Sequence, residues 1–171
     1  SGIAPGCNLI MVKVLDRKGN GYSSDVLAGI SWVLERKEQL GIRILNISVG
    51  ACSKRGMGEN SALVKGVNRA WDAGLVVVVA AGNNGPRTMS ITTPGISRKV
   101  ITVGCSDDDR EVLVGGNRMV DYSGRGPTAA CICKPDLVAP GCSVVSCSSR
   151  ADKYTIKSGT SMSTPIVSGA V

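Results

Sequence analysis

A serine hydroxyl becomes a nucleophile only with help, and one run of this sequence is built to give it. The run is Ser158-Gly159-Thr160-Ser161-Met162-Ser163-Thr164-Pro165. Small residues precede Ser161, and the chain continues as Ile166-Val167-Ser168-Gly169-Ala170-Val171, apolar and small at helical spacing. This pattern predicts a loop that delivers Ser161 to the first turn of a helix, where the positive end of the helix dipole stabilises a developing oxyanion. The chemistry that fits is acyl transfer, which needs a nucleophile, a base, a group that orients the base, and donors for the oxyanion. Asn83 is a donor candidate, because Gly82-Asn83-Asn84-Gly85-Pro86 forms an abrupt turn after the most β-prone stretch of the chain. Taken alone, Ser161 suits a helix N-cap equally well, and Asn83 suits a turn position that tolerates positive φ.

The elements that must position these residues follow from composition and pattern. A chain of 171 residues suits one domain. Hydrophobic residues make up 43%, with no Phe and two Trp, so the core is built from Val, Ile, Leu and Ala, as in a buried parallel sheet. Residues 9–15 read as an almost wholly apolar strand ending in the turn-rich loop Asp16-Arg17-Lys18-Gly19-Asn20-Gly21. A helix is predicted over 26–39, capped by Ser24 or Asp25 and closed by Gly41. Strands follow at 42–50, 75–81 and 99–104, and a second helix at 61–73, closed by Gly74. Beyond residue 105 the pattern weakens into polar loops, including 106–111 and 121–129. Alternating strands and helices imply an α/β fold, a doubly wound parallel sheet with helices on both faces and functional loops at the carboxyl ends of the strands.

Composition also sets aside several classes. The longest apolar run, 75–81, is far too short to cross a bilayer, so no membrane partner is expected. The net charge of +7 comes from 20 Lys and Arg against 13 Asp and Glu, scattered as pairs with no aromatic interleaving, which does not describe a nucleic-acid surface. No phosphate-binding glycine loop follows a strand, so a nucleotide-binding domain ranks last. The seven cysteines, Cys7, Cys52, Cys105, Cys131, Cys133, Cys142 and Cys147, are odd in number and form no Cys-x-x-Cys pair. Reduced, mostly buried thiols in a cytoplasmic protein explain them, with secretion the alternative. A cluster of Cys131, Cys133, Cys142 and Cys147 is the one metal arrangement the spacing leaves open; no metal ligand or cofactor is assigned. The sequence opens Ser1-Gly2-Ile3-Ala4-Pro5, without a leader or a Met, and is expected to be a piece of a longer protein.

The serine motif also resembles a family signature. Gly159-Thr160-Ser161-Met162-Ser163-Thr164-Pro165 is similar to the nucleophile motif of the subtilases, the subtilisin-like serine peptidases. Ala80-Ala81-Gly82-Asn83-Asn84-Gly85-Pro86 resembles the segment whose first Asn supplies that family's side-chain oxyanion donor, which places Asn83 in the role, with the Ser161 N–H as second donor. Further blocks match in order: Gly2-Ile3-Ala4-Pro5, Met11-Val12-Lys13-Val14-Leu15, Leu45-Asn46-Ile47-Ser48-Val49-Gly50, Thr93-Pro94-Gly95, Tyr122-Ser123-Gly124-Arg125-Gly126-Pro127, and Lys134-Pro135-Asp136-Leu137-Val138-Ala139-Pro140-Gly141. The resemblance covers residues 1–171 and implies a single, partial catalytic domain of a serine endopeptidase acting on peptides or proteins. It implies that Ser48, Val49 and Gly50 pair with an extended peptide, that Gly19, Asn20 and Gly21 form the opposite edge of the cleft, and that Ala80, Ala81 and Gly82 wall the main specificity pocket. It also implies a turn around Thr93-Pro94-Gly95, often with a cis-proline. Asn83 further separates the chain from the sedolisins, which carry Asp at that position.

Two departures stand out. The chain has no histidine, so the family's general base is not in it. In the family that base and its aspartate lie ahead of the block matching Gly2-Ile3-Ala4-Pro5, so the partner expected is a missing amino-terminal segment of the same domain. Lys153 and Lys157 are near Ser161 in sequence but lie in a polar stretch that would not depress a lysine pKa. Ile166 stands where the family usually has His, which bears on helix packing more than on chemistry. The chain alone is therefore expected to be inactive. The competing expectation is a subtilase-like pseudoenzyme that holds extended peptides or a partner chain, against which the presence of both Ser161 and Asn83 counts. Without the family's aspartate strand between 10–15 and 44–49, two apolar edges would be bare, so dimerisation or strand exchange is expected. The carboxyl end, stopping within a helix, reads as a second cut.

Overall fold

The computed structural model describes residues 2–51, 58–149 and 153–171. Its elements run α1 (Ser23–Leu40), β1 (Ile44–Ile47), α2 (Ala62–Asp72), β2 (Val76–Ala80), β3 (Ile101–Cys105), β4 (Val112–Val114), β5 (Asn117–Met119), β6 (Leu137–Ala139), β7 (Val144–Cys147), β8 (Tyr154–Lys157) and α3 (Thr160–Ala170). Four strands form one parallel sheet in the order β1-β2-β3-β6.

Strand β2 shows why the sheet is central. Its four consecutive valines are apolar on both faces, the pattern of a strand covered from both sides. Val77 and Val79 pack with Ile30 and Val33 of α1, Val67 and Ala70 of α2, and Ile47. Val78 points the other way, to Val103, Ala139 and Val167 of α3. Helices thus cover both faces, as the α/β reading requires. Ile166 joins the α3 layer as a partly buried residue, and the helix continues past it to Ala170, so the departure at this position does not disturb packing.

Local signals account for the helix ends. Ser61 caps α2 by accepting the Val64 N–H at 3.3 Å. Gly41 ends α1 at φ 63°, where the Ile42 N–H reaches the Lys37 carbonyl at 2.8 Å. The α1 start differs from expectation. Neither Ser24 nor Asp25 is the N-cap; Tyr22 is, and Asp25 lies in the first turn with its carboxylate accepting the Tyr22 N–H at 3.2 Å. An acidic residue there satisfies a free N–H and complements the positive helix end.

The strand expected over 9–15 is absent. Val12 and Val14 alternate inward as a strand would, but onto α1 rather than a sheet, so close that a side chain at Gly29 would stand 3.2 Å from Val12 and 2.8 Å from Val14. Leu9 and Met11 are 87% and 95% exposed. A strand needs a hydrogen-bonding neighbour, and the outer edge of β1 is unpaired among the described residues. Bare edge and exposed apolar segment together predict self-association. Light scattering is expected to show a concentration-dependent rise in mass that Met11→Glu reduces; a strict monomer at high concentration would refute this.

Two hairpins lie outside the expected pattern. β4 and β5 pair through Gly115 and Gly116, both at positive φ (58° and 90°), the geometry of a two-residue hairpin turn. β7 pairs antiparallel with β8 and leads the chain to α3. The peptide bond between Thr93 and Pro94 is cis, in line with the family resemblance.

Candidate active site

Ser161 is the second residue of α3 and half-buried, so the helix start does present it as expected. The turn depends on Gly159, whose φ of 137° favours glycine and whose missing side chain lets Asn83 approach: a Cβ there would lie 3.3 Å from Asn83 Nδ2. The Ser161 hydroxyl donates to the Ser48 carbonyl at 2.8 Å, joining the nucleophile to the end of β1.

Asn83 is held by Thr160. Its Oδ1 accepts the Thr160 N–H at 3.0 Å and the Thr160 hydroxyl at 3.1 Å, while the Thr160 oxygen accepts the Gly82 N–H at 3.1 Å. This arrangement fixes which way the amide faces. Its carbonyl oxygen is committed to the helix start, so Nδ2 is turned outward and has no partner among the described residues. The Ser161 N–H likewise makes no hydrogen bond among them. Two donors next to Thr160 are thus left open, the arrangement that receives a developing oxyanion.

The Asn83 turn is braced from behind. Gly85 N–H donates to the Tyr122 carbonyl at 2.9 Å, and Gly124 N–H to the Gly82 carbonyl at 2.8 Å. Thr92, nearly buried, fills the space between two predicted cleft segments: side chains at Gly50 and Gly82 would come within 2.6 and 2.4 Å of it. Ala51 and Thr93 exchange backbone hydrogen bonds at 2.9 and 3.0 Å, holding the segment after β1 against this loop. Sequence pattern gives no reason to single out Thr160 or Thr92, although Thr160 lies inside the serine motif.

The structure therefore brings Ser161, Asn83, Ser48 and Gly82 together, with Gly50 joined through Thr92. Val49 packs on the α1–α2 layer, and the backbone groups of Val49 and Gly50 make no hydrogen bonds among the described residues. Ala80 and Ala81 are buried, and Thr92 covers the Ala81 carbonyl, donating to it from N–H (2.9 Å) and hydroxyl (3.3 Å). An open depression beside Asn83 is lined by Asn84, Gly85, Pro86, Arg87 and Met119. Gly19, Asn20 and Gly21 are not hydrogen-bonded to these residues. They belong to a loop closed on Asp16, whose carboxylate accepts the Lys18 and Asn20 N–H groups, and Asn20 and Gly21 border a separate groove along α1.

Known proteins resemble this chain along nearly its whole length. The model of the Subtilase family matches residues 1–171. The chain is 40% identical to Serine protease AprX of Bacillus subtilis (strain 168), over 98% of this chain and 42% of that protein. It is 34% identical to Subtilisin DY of Bacillus licheniformis, over 99% of this chain and 54% of the relative. Among solved structures, Sphericase superposes with a TM-score of 0.71 at 33% identity, over 92% of this chain and 50% of that one. The chain thus spans about half the length of the relatives it matches.

Proposed function

Because this chain belongs to the subtilase family, we propose that it carries the nucleophile and oxyanion-binding part of a serine endopeptidase that cleaves peptide bonds through an acyl-enzyme on Ser161. The observation that carries this reading is the pair of open donors, Asn83 Nδ2 and Ser161 N–H, flanking Thr160. Ser161 Oγ adds to the scissile carbonyl carbon as a base takes its proton, and the resulting oxyanion is received by the two donors. The base then protonates the leaving amine as the C–N bond breaks, and water hydrolyses the ester. An extended substrate backbone pairs with the unbonded groups of Val49 and Gly50, so affinity comes from main-chain hydrogen bonds.

The base is supplied from outside this chain. No histidine is present, and neither Lys153 nor Lys157, both exposed, is hydrogen-bonded to Ser161. The hydroxyl instead donates to the Ser48 carbonyl, an oxygen too weakly basic to accept its proton. Alone, the chain is therefore inactive. The test is labelling by a serine-directed fluorophosphonate with peptide mapping, on this chain and on a form extended by the family's aspartate and histidine segments. Labelling at Ser161 in the extended form alone is the expected result. If neither folded form labels, the endopeptidase reading fails and a peptide-binding pseudoenzyme takes its place.

A further inference from the structure

Behind the turn into α3 lies a cluster that the acyl-transfer chemistry does not use. Cys105, the last residue of β3, is buried, and its thiol donates to Asp107 Oδ1 at 3.1 Å. The Tyr122 hydroxyl sits between two sulfurs, 3.2 Å from Cys105 Sγ and 3.2 Å from Cys142 Sγ. Asp107 Oδ1 also accepts the N–H groups of Gly141 at 2.7 Å and Cys142 at 3.1 Å. The two sulfurs and the Asp107 carboxylate oxygen all lie within 4.8 Å of one another.

We propose that Cys105, Asp107 and Cys142 form a binding site for a thiophilic divalent cation of the Zn²⁺ class. Around a tetrahedral ion with such ligands, neighbouring donor atoms stand roughly 3.5–3.8 Å apart, and the three donors here already lie within 4.8 Å of one another, Cys105 Sγ and Asp107 Oδ1 at 3.1 Å. Two thiolates with one carboxylate select a borderline-soft ion over Ca²⁺ or Mg²⁺, which prefer oxygen. Binding changes no oxidation state: both thiols release their protons to solvent, and the sulfur lone pairs coordinate the ion. The fourth position falls to water or to the Tyr122 oxygen. Cys142 is half-buried and offers the way in from solvent, while the Gly141 and Cys142 N–H groups hold the carboxylate from behind, as outer-shell partners of metal ligands do. Cys131, Cys133 and Cys147 are exposed and stand outside this cluster.

The site reaches the catalytic turn through one residue. The Gly141 carbonyl accepts the Gly159 N–H at 2.9 Å and the Tyr122 hydroxyl at 3.2 Å. A cation bound to Cys142 and Asp107 therefore fixes the peptide that anchors the entry into α3.

The test is titration of the reduced 171-residue chain with Co²⁺, following the thiolate-to-cobalt charge-transfer band in the near ultraviolet. The parent is expected to develop this band, with the intense visible bands of a tetrahedral site, at a single equivalent, and to lose both when Zn²⁺ displaces the cobalt. Cys142→Ser should weaken binding by about tenfold or more, Asp107→Asn by a similar factor, and Cys147→Ser not at all. Because Cys105 is buried, the decisive variant is Cys142→Ser, with circular dichroism verifying its fold. The proposal is overturned if the folded parent shows no band, or if the band survives Cys142→Ser and disappears when Cys131 and Cys133 are replaced.

Discussion

Asn83→Ala, made in a catalytically complete form of the protein, is expected to lower kcat by about 10²–10³-fold with little change in KM. The reason lies in when the contact forms. A neutral carbonyl gains little from Asn83 Nδ2, whereas the tetrahedral oxyanion gains a full charge-assisted hydrogen bond, so removing the donor costs transition-state rather than ground-state binding. Asn83 also has a structural task, because its Oδ1 receives both donors of Thr160. Asn83→Asp separates the two roles: it keeps an acceptor for Thr160 and replaces the outward NH₂ by an anionic oxygen. A loss at least as large in Asn83→Asp assigns the effect to the missing donor. Recovery of activity in Asn83→Asp would show that Asn83 matters only as a brace. Steady-state kinetics on the two variants decide the matter.

The second large effect is on stability. Gly85→Ala is expected to destabilise the fold by about 3 kcal/mol or more, seen as a lower denaturation midpoint with an unchanged slope. An added Cβ would come within 2.3 Å of the Ser123 carbonyl and 2.5 Å of the Asp121 carbonyl. Both are backbone atoms, so no rotamer change relieves the clash, and the Gly85 hydrogen bond to Tyr122 must stretch or break. Gly6→Ala is the matched control, since nothing lies within 4 Å of its Cβ position, and a change within about 0.5 kcal/mol is expected. Equal midpoints for the two variants would mean that the 121–124 segment does not clamp the Asn83 turn.

Much of this architecture is legible in the sequence because it is encoded locally. The valine run of β2, the periodic apolar positions of α2 and the glycines that close α1 and α2 each act over a few residues, and their elements appear where the pattern puts them. The small residues around Ser161 likewise specify a helix start without reference to the rest of the chain. The hairpin β4–β5 carries a local signal, Gly115-Gly116 after the apolar run Val112-Leu113-Val114, but its strands are only three residues long and Asn117-Arg118-Met119 is mostly polar, so the second strand does not stand out from a polar loop. The 9–15 segment fails for the opposite reason. Its β-prone composition is real, but long-range packing sets Val12 and Val14 against α1, away from the bare edge of β1.

By itself, then, the sequence determined that a serine stands at the start of a helix, that an asparagine follows a buried strand, and that no histidine is available to serve them. Tertiary structure alone decided which way Asn83 faces, because its amide is set by Thr160, 77 residues away. It also decided that Thr92 meets both Gly50 and Gly82, and that Cys105 and Cys142 converge on Tyr122. The physical reason is common to all three. Helix starts and buried strands are favoured by interactions between near neighbours, whereas the direction of a side-chain donor or the convergence of two sulfurs exists only after distant segments have packed.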